Sequence, residues 1–203
     1  MELVEALATS GTTCLVGAGG KKTTLFALAE RLPRAVVTAT VRIPIFDGRV
    51  ADVFVTDDPI GAVSAADAWP VGVVPERNGD RYRGYDPATV DELAAAGVAD
   101  AVLVKADGAR TRWLKAPGED EPRLPPSADV VVPVASARIV GKPLSDEHVH
   151  RPERVAAITG LDLDEPIRAE DVAAVLASPD GGLRGVPADA TAIPLLNMVD
   201  DTR

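Results

Sequence analysis

The 203 residues suffice for one domain with its own core, and because 46% are apolar but only 3% aromatic, that core has to come from Ala, Val, Leu and Ile. A net charge of −10, from 31 acidic against 21 basic residues, argues against nucleic acid or an anionic membrane as a general partner. The lone Cys14 excludes an internal disulfide, and no apolar run approaches the ~18 residues that cross a bilayer. Met1 opens into an amphipathic stretch rather than a signal peptide, so a cytoplasmic protein is expected. The 20 Asp against 5 Lys fit adaptation to high salt, where screening relieves surface self-repulsion.

The first element is an apolar run over 13–16 that ends in Gly17-Ala18-Gly19-Gly20 and passes into a helix-like stretch over 24–32, stopped by Pro33. Strands are expected over 35–40, 53–55 and 71–74, with a helical segment over 59–68 between the last two. Strands alternating with helices imply parallel βαβ units. Asn78-Gly79-Asp80 reads as a turn, and 86–97 as a helix opened by Pro87 and closed by Gly97.

A buried-strand run over 101–104 delivers Asp107 to a glycine turn. The stretch 108–128 is rich in Pro and charge without apolar periodicity, which predicts a long functional loop over the carboxyl ends of the strands. A strand over 129–134, helices over 151–159 and 168–177, and a last apolar run over 192–196 complete the chain. With no repeat or linker, residues 1–203 read as a single α/β domain, doubly wound on a mostly parallel sheet and P-loop NTPase-like.

The strand-to-helix turn carries the strongest chemical signal. Residues 17–24, Gly17-Ala18-Gly19-Gly20-Lys21-Lys22-Thr23-Thr24, combine glycines for a tight turn, a helix N-terminus and lysine, the requirements of a phosphate cradle. The loop is shorter than a strict GxxxxGK[ST], since Lys22 stands five and Lys21 four residues after Gly17. Lys22 followed by Thr23 best reproduces the lysine-hydroxyl pair, with Thr23 as Mg²⁺ ligand; the other register makes Lys21 the phosphate lysine. Two lysines in a first helical turn are electrostatically misplaced unless an anion binds there. Asp107, at the end of a neighbouring strand, is the candidate second Mg²⁺ ligand. Arg110, Arg112 and Arg151 are candidate anion clamps. His148 and His150, two apart, read as solvated histidines rather than a metal pair, and Cys14 as a small core residue.

GAGGKKTT, VTAT over 37–40, KADGAR over 105–110, LKAPGEDEP over 114–122, GKPL and HRPE over 141–144 and 150–153, and LLNMVD over 195–200 stand in this order along the chain. The ordered set resembles the selenium-dependent hydroxylase accessory protein family of YqeC type over nearly the whole sequence. That resemblance implies a P-loop NTPase-like protein using Mg²⁺ with ATP or GTP, and a molybdenum hydroxylase as client. It lays the family's Glu-Ala-Asp-Gly segment on 105–108, with Lys105 where the family has Glu, which weakens hydrolysis more than binding. It lays the family's loop elements on Lys115 and Glu121, with His150 and Arg151 as a further polar cluster. Its Asn-Lys-x-Asp, similar to the guanine-reading element of GTPases, falls on Asn197, Met198, Val199 and Asp200, without the lysine. Family members continue further, so the chain is expected to be short at this end. Three functions are consistent with these features: a Mg²⁺-dependent NTP-binding maturation factor with slow hydrolysis, a phosphoryl or nucleotidyl transferase for a small acceptor, and a non-catalytic nucleotide-binding module.

Overall fold

Val-rich runs flanked by turn residues form buried strands because β-branched side chains pack well on a pleated surface covered on both faces. A computed structural model describes residues 3–7 and 11–199. The strands of the main sheet are β1 (Gly11–Gly17), β2 (Ala35–Ala39), β3 (Asp52–Val55), β4 (Val71–Val74), β5 (Ala101–Lys105), β6 (Val130–Ser136), β7 (Thr191–Ala192) and β8 (Leu195–Asn197). They lie in the order β7-β6-β1-β5-β2-β4-β3, with β8 also on β6, and every pairing is parallel. The helices are α1 (Lys21–Ala29), α2 (Pro59–Ser64), α3 (Pro87–Ala95), α4 (Pro152–Thr159) and α5 (Ala169–Ala177). The expected α/β class and parallel sheet are what the chain adopts.

Alternation along the strands divides the core. Leu15, Val37, Leu103 and Val132 face α1 and its Leu25 and Leu28, whereas Cys14, Val36, Val102 and Val131 face α2 and α3 through Val63, Val90 and Leu93. A third cluster, with Leu114, Ile139, Leu144, Val155 and Val175, fastens α4 and α5 beside the carboxyl end of β6. Cys14 is fully buried, and burial pushes its thiol far above the usual range, so it stays protonated.

Several boundaries differ from the sequence pattern. α1 starts at Lys21 rather than near 24, because Gly20, at φ 117°, turns the chain straight into it. α2 ends at Ser64; Asp58 caps its start by accepting from Gly61 N at 2.9 Å, and the chain turns away after one and a half turns. The last apolar run is two short strands with Pro194 between them, since proline has no N–H for the ladder. The 78–80 turn closes a hairpin between Arg77–Asn78 and Arg81–Tyr82, and Ile43–Pro44 joins it as a third antiparallel strand. Phe46 anchors this flap, with ring centroids 5.4 Å from Tyr82 and 5.8 Å from Phe26 of α1.

Within 108–128 the chain stays irregular except at one short strand: Leu114–Lys115 pairs in parallel with Val149–His150, and Leu114, Lys115, Ala116, Pro117 and Gly118 are buried. A two-residue strand leaves no periodicity to read, and a buried lysine cannot be told from a surface one until its partners are in place.

Candidate active site at the carboxyl edge of the sheet

α1 carries the chain from β1 over to β2, while the segment after β5 returns across β1 to β6. The connections diverge, and a crevice opens at the carboxyl ends of β1 and β5, where open parallel sheets bind ligands. The glycine turn lines it. Gly17 and Gly19 have φ of 86° and 78°, and a Cβ on either would sit 2.3 Å from Val134 O or 2.5 Å from Ser136 N, so only glycine fits.

Most amides of the loop are already engaged. Gly17 N donates to Asp107 Oδ2 at 2.8 Å, Ala18 N to Val134 O at 2.8 Å and Gly19 N to Arg112 O at 3.0 Å. These bonds fix the loop's shape, and the first turn of α1 follows it, where the N–H groups of Lys21, Lys22 and Thr23 have no intrahelical acceptor.

The two lysines have different fates. Lys21 is buried, donates to Gly17 O, and stands 2.9 Å from Asp107 Oδ1. Lys22 and Thr23, the pair favoured by spacing, are exposed, because a helix starting directly after Gly20 turns its first residue inward and the next two outward. Thr24 is buried, with its hydroxyl directed at Gly20 O. Burial lowers the Lys21 pKa, and Asp107 opposes that shift.

Asp107 lies at the centre of a buried charge cluster. Its Oδ2 is 2.9 Å from Lys115 Nζ, Lys115 also reaches Glu121 at 2.8 Å and donates to Gly108 O, and Arg151 Nη1 meets the same Glu121 oxygen at 2.8 Å. Residues from three distant stretches thus form one chain of alternating charge. The Asp107 Oδ1 atom is buried, with the Lys21 ammonium 2.9 Å away and no well-aligned hydrogen bond. Such an oxygen suits a cation that keeps most of its water and takes one carboxylate plus phosphate oxygens, as Mg²⁺ does. Thr23 is outside this cluster.

Burial would raise the Glu121 carboxyl, but the hydrogen bonds and charges of Lys115 and then Arg151 outweigh it and hold the group at about 2, below its ordinary 4.5. The stabilisation this represents is complete above pH 4.5 and is lost as pH falls toward 2, an effect of about 2–3 kcal/mol. Urea titrations at pH 5 and pH 2.5 are expected to show a smaller acid loss, by about 2 kcal/mol, in Glu121→Gln than in the unmodified chain. Equal losses would mean that the carboxylate is unpaired in solution.

Lys105 ends β5 beside this cluster. Burial, then the charge of Lys21, pushes its ammonium down to about 7, with Asp107 opposing, and its Nζ donates to Arg42 O at 2.8 Å. A cleft of about 790 Å³ opens over Lys21, Lys105 and Glu121.

The remaining candidates divide. Arg110 and Arg112 line the cleft, and Arg151 serves Glu121 instead. His148 stacks on Trp113, with centroids 5.0 Å apart, and the His150 pKa is lowered by burial and then by Arg151. Among the described residues no group of His, Cys, Asp and Glu could hold a metal by itself. Asn197 lies against the glycine turn, its Nδ2 2.1 Å from where a Gly20 Cβ would stand, and Met198 Sδ accepts from the Ser136 hydroxyl at 3.3 Å. Asp200 lies outside the described residues. The sequence reading missed Arg42 and Arg81, which line the same cleft from the flap and carry no local signal. No helix among the described residues is long and apolar enough to cross a membrane.

Comparison with known proteins agrees with the motif order. The Escherichia coli (strain K12) protein named "Uncharacterized protein YqeC" is 33% identical over 190 residues, covering 90% of this chain and 74% of that protein. No solved structure matches the chain significantly. The family model described as "YqeC protein" matches residues 13–153, a span that takes in the glycine turn, Asp107 and Arg151 together, and the chain belongs to the YqeC family.

Proposed function

We propose that the chain is a Mg²⁺-dependent binder of ATP or GTP whose phosphates rest on the first turn of α1 and on Lys21. One observation carries the reading: Lys21 is folded back over the glycine turn, between Gly17 O and Asp107. A phosphate arriving at the helix N-terminus competes with Asp107 for Lys21. With Lys21 turned to the phosphate, Asp107, kept aimed by Lys115, would be free to hold Mg²⁺, which would supply charge neutralisation for the phosphates. Lys105, in place of an acid, adds positive charge where a general base would be needed, which favours binding over rapid hydrolysis. Asn197 stands against Gly20, and a guanine preference would arise from the sequence element that it opens. The accessory role toward a selenium-dependent molybdenum hydroxylase follows from the family resemblance, and cytoplasmic location goes with it.

Calorimetry with AMP-PNP and GMP-PNP in Mg²⁺ tests the reading. Lys21→Ala is expected to weaken binding by roughly 10- to 100-fold, the worth of a charge-assisted phosphate contact, and Lys22→Ala by only a few-fold. Equal effects of the two variants, or no nucleotide binding by the unmodified chain, would refute it.

A further inference from the structure

The cleft over the phosphate loop holds more positive charge than one nucleotide requires. Seven basic side chains and one acidic one, Glu121, line its 790 Å³, in a chain whose net charge is −10. Lys21, Lys22 and Lys105 belong to the phosphate loop side. The other four come from elsewhere: Arg42 and Arg81 from the antiparallel flap, Arg110 and Arg112 from the segment beyond Asp107.

Most arginines outside the cleft are matched by carboxylates, as Arg83 is by Glu76 at 2.8 Å, Arg123 by Asp86 at 2.6 Å and Arg184 by Asp180 at 3.5 Å, with Arg31 and Arg34 on backbone carbonyls instead. Among the described residues Arg42, Arg110 and Arg112 have no carboxylate partner, and Arg81 reaches only the exposed Asp80, at 3.9 Å. Unmatched like charges around one concavity repel one another, so the arrangement is unfavourable until an anion enters.

The backbone holds the two arms in place. Lys105 Nζ donates to Arg42 O, which fixes the start of the flap beside the end of β5, and Gly19 N donates to Arg112 O, which fixes the other arm against the phosphate loop. Arg110 and Thr111 both adopt left-handed φ, 46° and 63°, a conformation that costs energy for residues with a Cβ and here carries Arg110 to the rim of the cleft. Magnesium cancels much of a triphosphate's charge, and Lys21 with the first-turn amides meets most of what remains. Planar guanidinium forks match phosphate oxygens in pairs, and the cleft lies in the upper part of the ~300–1,000 Å³ range of small-molecule sites.

We propose that Arg42, Arg81, Arg110 and Arg112 form a second anion subsite, which takes a small phosphate-bearing molecule alongside the nucleotide. The proposal rests on the nucleotide reading above and extends it from a one-ligand to a two-ligand protein.

The test uses the full chain, AMP-PNP with Mg²⁺ for the first site and inorganic pyrophosphate for the second. Pyrophosphate titrated into protein saturated with AMP-PNP is expected to bind with one equivalent. Arg42→Ala combined with Arg110→Ala is expected to weaken that event at least tenfold while leaving AMP-PNP affinity within about twofold. Absence of pyrophosphate binding to the saturated protein overturns the proposal, as does an equal loss of AMP-PNP affinity, which would assign the arginines to the nucleotide itself. Failure of the nucleotide reading looks different: AMP-PNP then fails to bind the unmodified chain. In that event pyrophosphate binding to the free protein that survives Lys21→Ala but not the arginine pair upholds the arginine subsite, and binding that is insensitive to the arginines rejects it.

Discussion

Asp107→Ala is expected to destabilise the fold by about 3–5 kcal/mol, the penalty for breaking a buried ion pair from one side. The carboxylate is 1% exposed and faces two ammonium groups, each at 2.9 Å, on Lys21 and Lys115, which are themselves 6% and 3% exposed. Removing it also takes the acceptor from Gly17 N and so loosens the glycine turn. Lys21 and Lys115 would then repel each other in a low-dielectric space. Urea unfolding at pH 7 measures the loss, and a change below ~1 kcal/mol would mean that solvent already screens the cluster. The same variant separates the two roles proposed for Asp107 in binding. Without the competing carboxylate, Lys21 is free for phosphate, so AMP-PNP affinity in EDTA is expected to hold or rise while the enhancement by Mg²⁺ disappears. An unchanged Mg²⁺ enhancement would remove Asp107 from the metal site.

Lys115→Met carries the second large effect, again about 3–5 kcal/mol, for the opposite reason: it strands negative charge. The Lys115 side chain is fully buried, bridges Asp107 and Glu121, and donates to Gly108 O. Methionine fills similar volume, so the loss reports charge rather than a cavity. Glu121 keeps Arg151 and Asp107 keeps Lys21, which limits the damage to one link of the chain. Adding Glu121→Gln to Lys115→Met is expected to cost less than the sum of the two single changes, by about 1 kcal/mol or more, since both act on one contact. Strict additivity in denaturant titrations would show that Lys115 and Glu121 are independent. Because 114–115 pairs with 149–150, the loss should also loosen the segment carrying Arg151. Faster amide exchange in 149–155 than in the α2 region would register that.

The sheet was legible because its strands are short Val-rich runs between turn residues, as at Val36, Val102 and Val131, and no helix could bury them on every side. The glycine turn was legible because φ near 80° at Gly17 and Gly19 leaves no room for another residue. Asp107 followed from its place at the end of a buried run. Which lysine faces inward did not follow from spacing: Lys22-Thr23 matches the motif better on paper, and the orientation depends on where α1 begins. That is set by Gly20 at φ 117°.

The sequence by itself determined the class of fold and the position of the glycine turn, since these depend on local pattern and on backbone sterics that act within a few residues. Only the tertiary structure decided what surrounds them. Lys115 meets Asp107 and links it to Glu121 and Arg151 because parallel pairing of 114–115 with 149–150 closes a long stretch onto the sheet edge, and Arg42 reaches the cleft because the flap folds back over Lys105. A charged side chain has the same local appearance in solvent and in a buried cluster; its role is fixed by the partners that long-range packing brings within hydrogen-bond distance.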